Sequence, residues 1–176
     1  FRGVTGVQTC ALPIWLGIET SSVVSSVAVM NESQLIGEIT IQAGLTHSEQ
    51  LVPHIQTLLE MTNIKHSDLK GIVVVSGPGS FTGLRIGMGT AKAMAYALRI
   101  PLYGVMTMDG LARNIPYTTD MICTVIDAQK KHVYAAFYTY EGSKLTMIEE
   151  PFVVEAASLV DRLQSQQKRV VFVGDG

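Results

Sequence analysis

The chain has 176 residues, 47% of them hydrophobic and 16% charged, with a formal net charge of -2. That length holds one good domain or two small lobes around a real core. The balance excludes a protein that grips nucleic acid by its own surface. Phosphate binding needs clustered Lys and Arg, and here the 13 basic residues are scattered, the densest run being Lys130-Lys131-His132.

Residues 1–13 (FRGVTGVQTCALP) lack an initiator Met and any periodicity, resemble translated adapter sequence, and are expected to be foreign to the fold. Ile14 to Thr20 then forms a compact apolar run. Ser25 to Met30 alternates, Asn31-Glu32-Ser33 reads as a turn, and Gln34 to Gln42 alternates again, which together predict an antiparallel meander. Thr46 to Met61 switches to helical spacing, with Leu51, Ile55, Leu58 and Leu59 on one face and a capping box from Thr46 and Glu49. Ile72 to Ser76 has the β-branched character of a strand buried on both faces. A Gly-rich turn, a helix from Thr82 to Leu98 ended by Pro101, a strand from Leu102 to Val105 and a helix from Met108 to Asn114 follow. This β-β-β-α-β-α-β-α order resembles the ribonuclease-H-like unit of the actin, Hsp70 and sugar-kinase superfamily.

The unit then restarts. Ile122 to Asp127 parallels Trp15 to Glu19, an apolar strand ending in an acid, and His132 to Thr139 parallels Ser25 to Met30. The polar turn Glu141-Gly142-Ser143, a third strand, a helix from Ala156 to Leu163 and a strand from Arg169 to Val173 continue the copy. The expectation is an α/β duplicated fold, a mixed sheet flanked by helices in each lobe. Residues 14–116 make the N-terminal lobe. Residues 117–176 make a C-terminal lobe that is expected to be incomplete, because a bare turn, Gly174-Asp175-Gly176, follows its last strand.

Two cysteines, Cys10 and Cys123, make neither a disulfide framework nor a metal signature; Cys123, inside the run Met121 to Ile126, reads as a small core residue. No apolar stretch approaches the roughly 20 residues of a membrane span, and no apolar h-region opens the chain. A soluble, cytoplasmic protein without a membrane partner is expected.

Four features could carry function. Glu19 and Asp127 end the first strand of each lobe. In a duplicated fold those ends face a cleft, where an acid could hold Mg²⁺ for phosphoryl transfer or simply cap its own turn. Gly77-Pro78-Gly79-Ser80-Phe81-Thr82-Gly83 joins a buried strand to a helix. Its spacing matches neither a dinucleotide fingerprint nor a P-loop, so a tight turn stands against an anion site. His47 and His54 are seven residues apart, about 10 Å along a helix axis, too far for two zinc–nitrogen bonds of about 2 Å. They fit surface or interface positions, and no metal is expected in this chain. Gly83, Gly87, Ala91 and Ala95, with Gly89, Ala93 and Ala97 on another face, form rows of small residues that admit close packing, internal or with a partner. No G-x-S-x-G elbow or serine-histidine arrangement supports a hydrolase.

Taken in order, LGIETSSVVSSVAV, THSEQLVPHIQTLLE, GPGSFTGLRIGMGTAKAMAYALRIPLYGV and IDAQKKHVYAAFY resemble the TsaB (YeaZ) family from Leu16 onward, most specifically over Gly77 to Gly87. The resemblance implies a non-catalytic subunit of the bacterial machinery that makes threonylcarbamoyladenosine in tRNA. It implies a TsaD-like catalytic partner and a TsaE-like ATPase, with tRNA reached only through the complex. It implies no cofactor bound by this chain alone, ATP or ADP and a metal belonging to the partner subunits. Carried over by position, the contact residues are His47, Leu51, His54, Gly83, Arg85, Ile86, Met88, Gly89 and Lys92. Glu19, Thr20, Ser21 and Asp127 are the candidates for a cleft in which a nucleotide could sit. The same helix face suits a homodimer when the partner is absent. Glu19 stands where the family usually has Asp, and Gln129-Lys130-Lys131 replaces a more Arg-rich turn. The alternative is an ATP-dependent phosphotransferase of the same fold.

Overall fold

Alternation along the first three strands sends Leu16, Ile18, Val27 and Val29 to one side of a sheet, all 3% exposed or less. The structure, a computed structural model, describes residues 12–42, 47–116, 118–166 and 169–176. Strands β1 (Ile14–Glu19), β2 (Ser25–Met30) and β3 (Leu35–Ile41) form the expected meander, and helix α1 (His47–Met61) follows. Thr46, half of the anticipated capping box, lies outside the described residues. After a single 3-10 turn (His66–Asp68) come β4 (Leu69–Gly77), α2 (Phe81–Leu98), β5 (Leu102–Met106) and α3 (Thr107–Arg113). The first sheet has the order β3-β2-β1-β4-β5, with β4 parallel to β1 and β5 parallel to β4. Its core is the layer between this sheet and the helices, where Leu51, Ile55, Leu58 and Leu59 of α1 meet Ala91 and Ala95 of α2.

Strand β4 starts three residues before the expected Ile72. Lys70 and Gly71 interrupt the β-branched run, yet Leu69 and Gly71 still pair with Ile14 and Trp15. The Trp15 ring lies where a Cβ at position 71 would be, so glycine is what lets the strand continue past the indole. Helix α2 starts one residue earlier than expected, because the Ser80 hydroxyl accepts the Gly83 N–H at 3.3 Å and fixes the first turn.

The second sheet repeats the first four positions of that order. Strands β6 (Met121–Asp127), β7 (His132–Glu141) and β8 (Lys144–Glu155), helix α4 (Ala156–Gln166) and strand β9 (Val170–Gly174) assemble as β8-β7-β6-β9, with β9 parallel to β6. Leu159 and Leu163 of α4 pack with Cys123, Val125 and Phe137 on one face. Arg162 holds α4 to β8 through two hydrogen bonds to Glu149, at 3.1 and 2.6 Å, while its guanidinium lies 5.4 and 5.3 Å from the Phe137 and Phe152 ring centres. Burial beneath this layer pushes the Cys123 thiol up to about 12, against the opposing pull of the Arg162 charge.

The other face of the second sheet is covered by α3. Met108 and Ala112 pack with Ile122, Ile126, Ala136 and Tyr138, although α3 follows the first sheet in the chain. This geometry corrects the repeat alignment drawn through the two acids. Ile18, before Glu19, faces α1 and α2, whereas Ile126, before Asp127, faces α3. Side chains alternate with a period of two, so a one-residue offset reverses every face. When faces are matched, Asp127 corresponds to Thr20.

Leu51 is 1% exposed in the middle of the α1 layer. Leu51→Ala is expected to cost about 2–5 kcal/mol through the cavity it leaves. A urea denaturation series would read this as a lowered midpoint with an unchanged slope.

Candidate functional site

The residues after β1 serve the start of α2. The Glu19 carboxylate accepts the Ser21 N–H at 2.5 Å. Thr20 is 2% exposed and donates its hydroxyl proton to the Gly83 carbonyl at 2.9 Å. The Ser21 carbonyl accepts the Ser80 N–H at 2.6 Å. Gly79 has a φ of 153°, and a Cβ there would meet the Ser21 carbonyl. The glycine-rich turn therefore makes room for its own chain, the tight-turn reading, rather than for an anion between Gly79 and Ser21.

The turn after β6 is built differently. The Asp127 carboxylate accepts the Gln129 N–H at 2.7 Å, and three non-glycine residues follow in the left-handed region, with φ of 65° at Gln129, 52° at Lys130 and 66° at Lys131. Such backbone costs energy for residues with a Cβ. The His132 N–H bonded to the Gln129 carbonyl and the Ala156 N–H bonded to the Lys131 carbonyl, each at 3.0 Å, hold it in place.

Two adjoining cavities lie between the lobes. One, of about 570 Å³, is bounded by Glu19, Val75, Val105, Thr107 and Leu111. The other, of about 630 Å³, is bounded by Ser80, Phe81, Thr82, Asp127, Gln129 and Tyr134. Ser21, Ser22, Ile126 and Asp175 line both, but Glu19 and Asp127 do not line a common one. Among the described residues no three or more His, Cys, Asp or Glu side chains are grouped so as to hold a metal ion. The two acids border adjoining parts of the space between the lobes, and each carboxylate is engaged by its own turn.

The helix faces separate cleanly. Gly83, Gly87, Ala91 and Ala95 are the buried row of α2, laid against the first sheet. Two anticipated contact residues, Gly83 and Leu51, belong to this interior: the Gly83 carbonyl is taken by Thr20, and Leu51 sits in the α1 core. Arg85, Gly89 and Lys92 lie exposed on the outer side of α2, while Ile86 and Met88 are half-buried. His54 is half-buried, and its Nδ1 has no hydrogen-bond partner among the described residues. The His47 side chain lies outside the description.

Sequence reasoning missed the largest members of the outer face. Phe81 is 73% exposed and Tyr96 88% exposed on α2, with Val52 at 47% and Met61 at 78% on α1. The Arg85 guanidinium lies 5.3 Å from the Phe81 ring centre. The signal was available, since Phe81 and Tyr96 fall on the polar side of the wheel that Gly83 and Gly87 define. Large apolar residues placed there do not serve the monomer's core.

Helix α3 ties this helix pair to the second sheet. The Thr107 hydroxyl donates to the Pro78 carbonyl at 2.7 Å, and the Tyr138 hydroxyl donates to Asp109 at 2.9 Å. Burial first, then the hydrogen bond and charge of Asp109, push the Tyr138 phenol above its ordinary range.

Two lobes that share a four-strand order, with α1, α2 and α4 on their sheets and α3 and a cleft between, define an actin-like protein of ribonuclease-H-like construction. The family model for tRNA N6-adenosine threonylcarbamoyltransferase (TsaD) matches residues 34–174. The tRNA threonylcarbamoyladenosine biosynthesis protein TsaB of Bacillus subtilis (strain 168) is 32% identical over 159 residues, covering 90% of this chain and 69% of that protein. The protein of the same description from Escherichia coli (strain K12) is 29% identical over 164 residues, covering 92% and 71%. Among solved structures, YeaZ from Pseudomonas aeruginosa superposes with a TM-score of 0.73 at 25% identity, over 82% of this chain and 68% of that one. The chain belongs to the TsaB (YeaZ) family.

The two glycines of α2 are expected to respond oppositely to the same substitution. A Cβ at Gly87 would collide with the buried Thr20 hydroxyl, whereas nothing lies within 4 Å of one at Gly89. Gly87→Ala should destabilise by about 1–3 kcal/mol and Gly89→Ala should stabilise by about 0.5–1 kcal/mol, both measurable by thermal melts.

Proposed function

We propose that this chain is a non-catalytic subunit in the making of threonylcarbamoyladenosine in tRNA, and that the outer face of α1 and α2 binds a TsaD-like catalytic subunit. The observation that carries the proposal is the stripe Phe81, Arg85, Gly89, Lys92 and Tyr96, with Val52 and Met61 beside it. It combines exposed aromatic anchors, an Arg held over a ring and a glycine gap for close helix approach. The names of the relatives supply the pathway and fit an accessory part in it.

In this reading ATP or ADP and a metal ion belong to the catalytic partner and to a TsaE-like ATPase that joins the complex. The tRNA, a cytoplasmic substrate, is reached only through the assembly. The scattered basic residues and the net charge of -2 fit that indirect role. In this reading a second copy of the chain occupies the same stripe when no partner is present.

A second reading, an ATP-dependent phosphotransferase, is favoured by the inter-lobe cavity that Asp127 borders. ATP turnover by this chain alone, lost on Asp127→Ala, would establish it and end the accessory-subunit proposal.

The decisive experiment mixes the chain with the TsaD-like subunit of the same organism and follows light scattering on a sizing column. A one-to-one complex is expected. Gly89→Arg should abolish it, while Phe81→Ala and Tyr96→Ala should each weaken it about tenfold or more without lowering the melting temperature. No complex at micromolar concentration would remove the partner role.

A further inference from the structure

We infer that Thr107 is a positioning residue for the partner face, its hydroxyl on the Pro78 carbonyl extending the β4–β5 pairing of Gly77 with Met106 and setting the N-terminal end of α2 in register with the second lobe. The inference rests on the partner-binding reading above and adds to it a route by which the second lobe acts on that face.

The N-terminal end of α2 is held from two directions. On one side Thr20 and Ser21, at the end of β1, bind the Gly83 carbonyl and the Ser80 N–H. Both partners belong to the first lobe, so these bonds are indifferent to the second. On the other side stands the Thr107 hydroxyl on the Pro78 carbonyl, at 2.7 Å, twenty-nine residues away in sequence. Pro78 lies two residues before Ser80, which caps α2, and three before Phe81, the first residue of the exposed stripe.

Thr107 is not anchored in the first lobe alone. It opens α3, whose Met108 and Ala112 are fully buried against Ile122, Ile126 and Ala136 of the second sheet. Asp109, two residues on, accepts the hydroxyl proton of Tyr138, which is 1% exposed on β7. α3 also packs on β4 and β5, so it stands between the two sheets, and in this inference Thr107 passes a displacement of the second sheet to Pro78. Phe81 and Thr82 also border the cavity shared with Asp127 and Gln129, so the same end of α2 meets both the cleft and the outer face. Among the described residues the helix's C-terminal end, with Tyr96, shows no such link: its capping bonds run from Arg99 back to Ala95 and Tyr96.

The test measures affinity of the full chain for the catalytic subunit by titration calorimetry, at a temperature where every variant is folded by its melt. Thr107→Val keeps the shape and removes the donor. It is expected to weaken binding about three- to tenfold, the limit set by one neutral hydrogen bond made in the binding-competent setting of the turn and lost in the other, and Thr107→Ser is expected to restore it. Tyr138→Phe should weaken binding in the same sense, and its effect should fail to add to that of Thr107→Val, because both cut one route. Tyr96→Ala should add to Thr107→Val in full. Thr107→Val binding within twofold of the parent, or no rescue by Thr107→Ser, overturns this inference while leaving the partner reading intact. Failure of the parent chain itself to bind overturns both.

Discussion

The contact on which the rest of the molecule depends is the seat of α2 on the end of β1. Thr20 reaches into the first turn of α2, donates to the Gly83 carbonyl and occupies the space a side chain at Gly87 would need. One turn of chain earlier, Ser21 takes the Ser80 N–H and presses on Gly79. The segment from Thr20 to Ser22 thus has its polar groups directed into structure. Its glycine partners are fixed by sterics, because neither backbone could approach the other with a Cβ between them. With that seat established, α2 lies along the sheet, α1 packs beside it, and the buried side of both helices is complete without Phe81, Tyr96, Val52 or Met61.

The lobes are joined by more than the chain that connects them. α3 is sequence-adjacent to β5 but lends its apolar side to the second sheet, and its first residue bonds back to the glycine-rich turn. The second sheet is therefore closed on one face by α4 and on the other by an element that precedes it. Its first strand, β6, is buried on both sides along Ile122 to Ile126, the position a central strand occupies between two layers.

Most of this architecture was legible in the amino-acid pattern. The meander, the parallel strands, the helices and the restart near Ile122 follow from period-two and helical spacing, and their limits moved by only a few residues. Where limits moved, side-chain geometry that no periodicity records was responsible: the Trp15 ring over Gly71, and the Ser80 cap on Gly83. The site was less legible. A row of small residues announces close packing without saying against what, and α2 spends its row on its own sheet. Leu51 has the spacing of a core residue, and family likeness assigned it outward where burial holds it inward. The two acids looked equivalent as letters, yet they differ by one residue in the phase of their strands, since the residue before each faces a different helix layer.

The small-residue row also bears on the thermodynamics of docking. Gly83, Gly87, Ala91 and Ala95 have no rotatable side chain, so along the line of closest approach α2 rests on backbone and Cβ atoms alone. Such a seat sets how closely the helix lies on the sheet, and its outer residues are carried on one continuous helical backbone. Association normally loses entropy as loops and side chains are ordered at the interface. Here the backbone share of that loss has already been met in folding. What remains is the immobilisation of a few long side chains, among them Arg85, which already lies over the Phe81 ring.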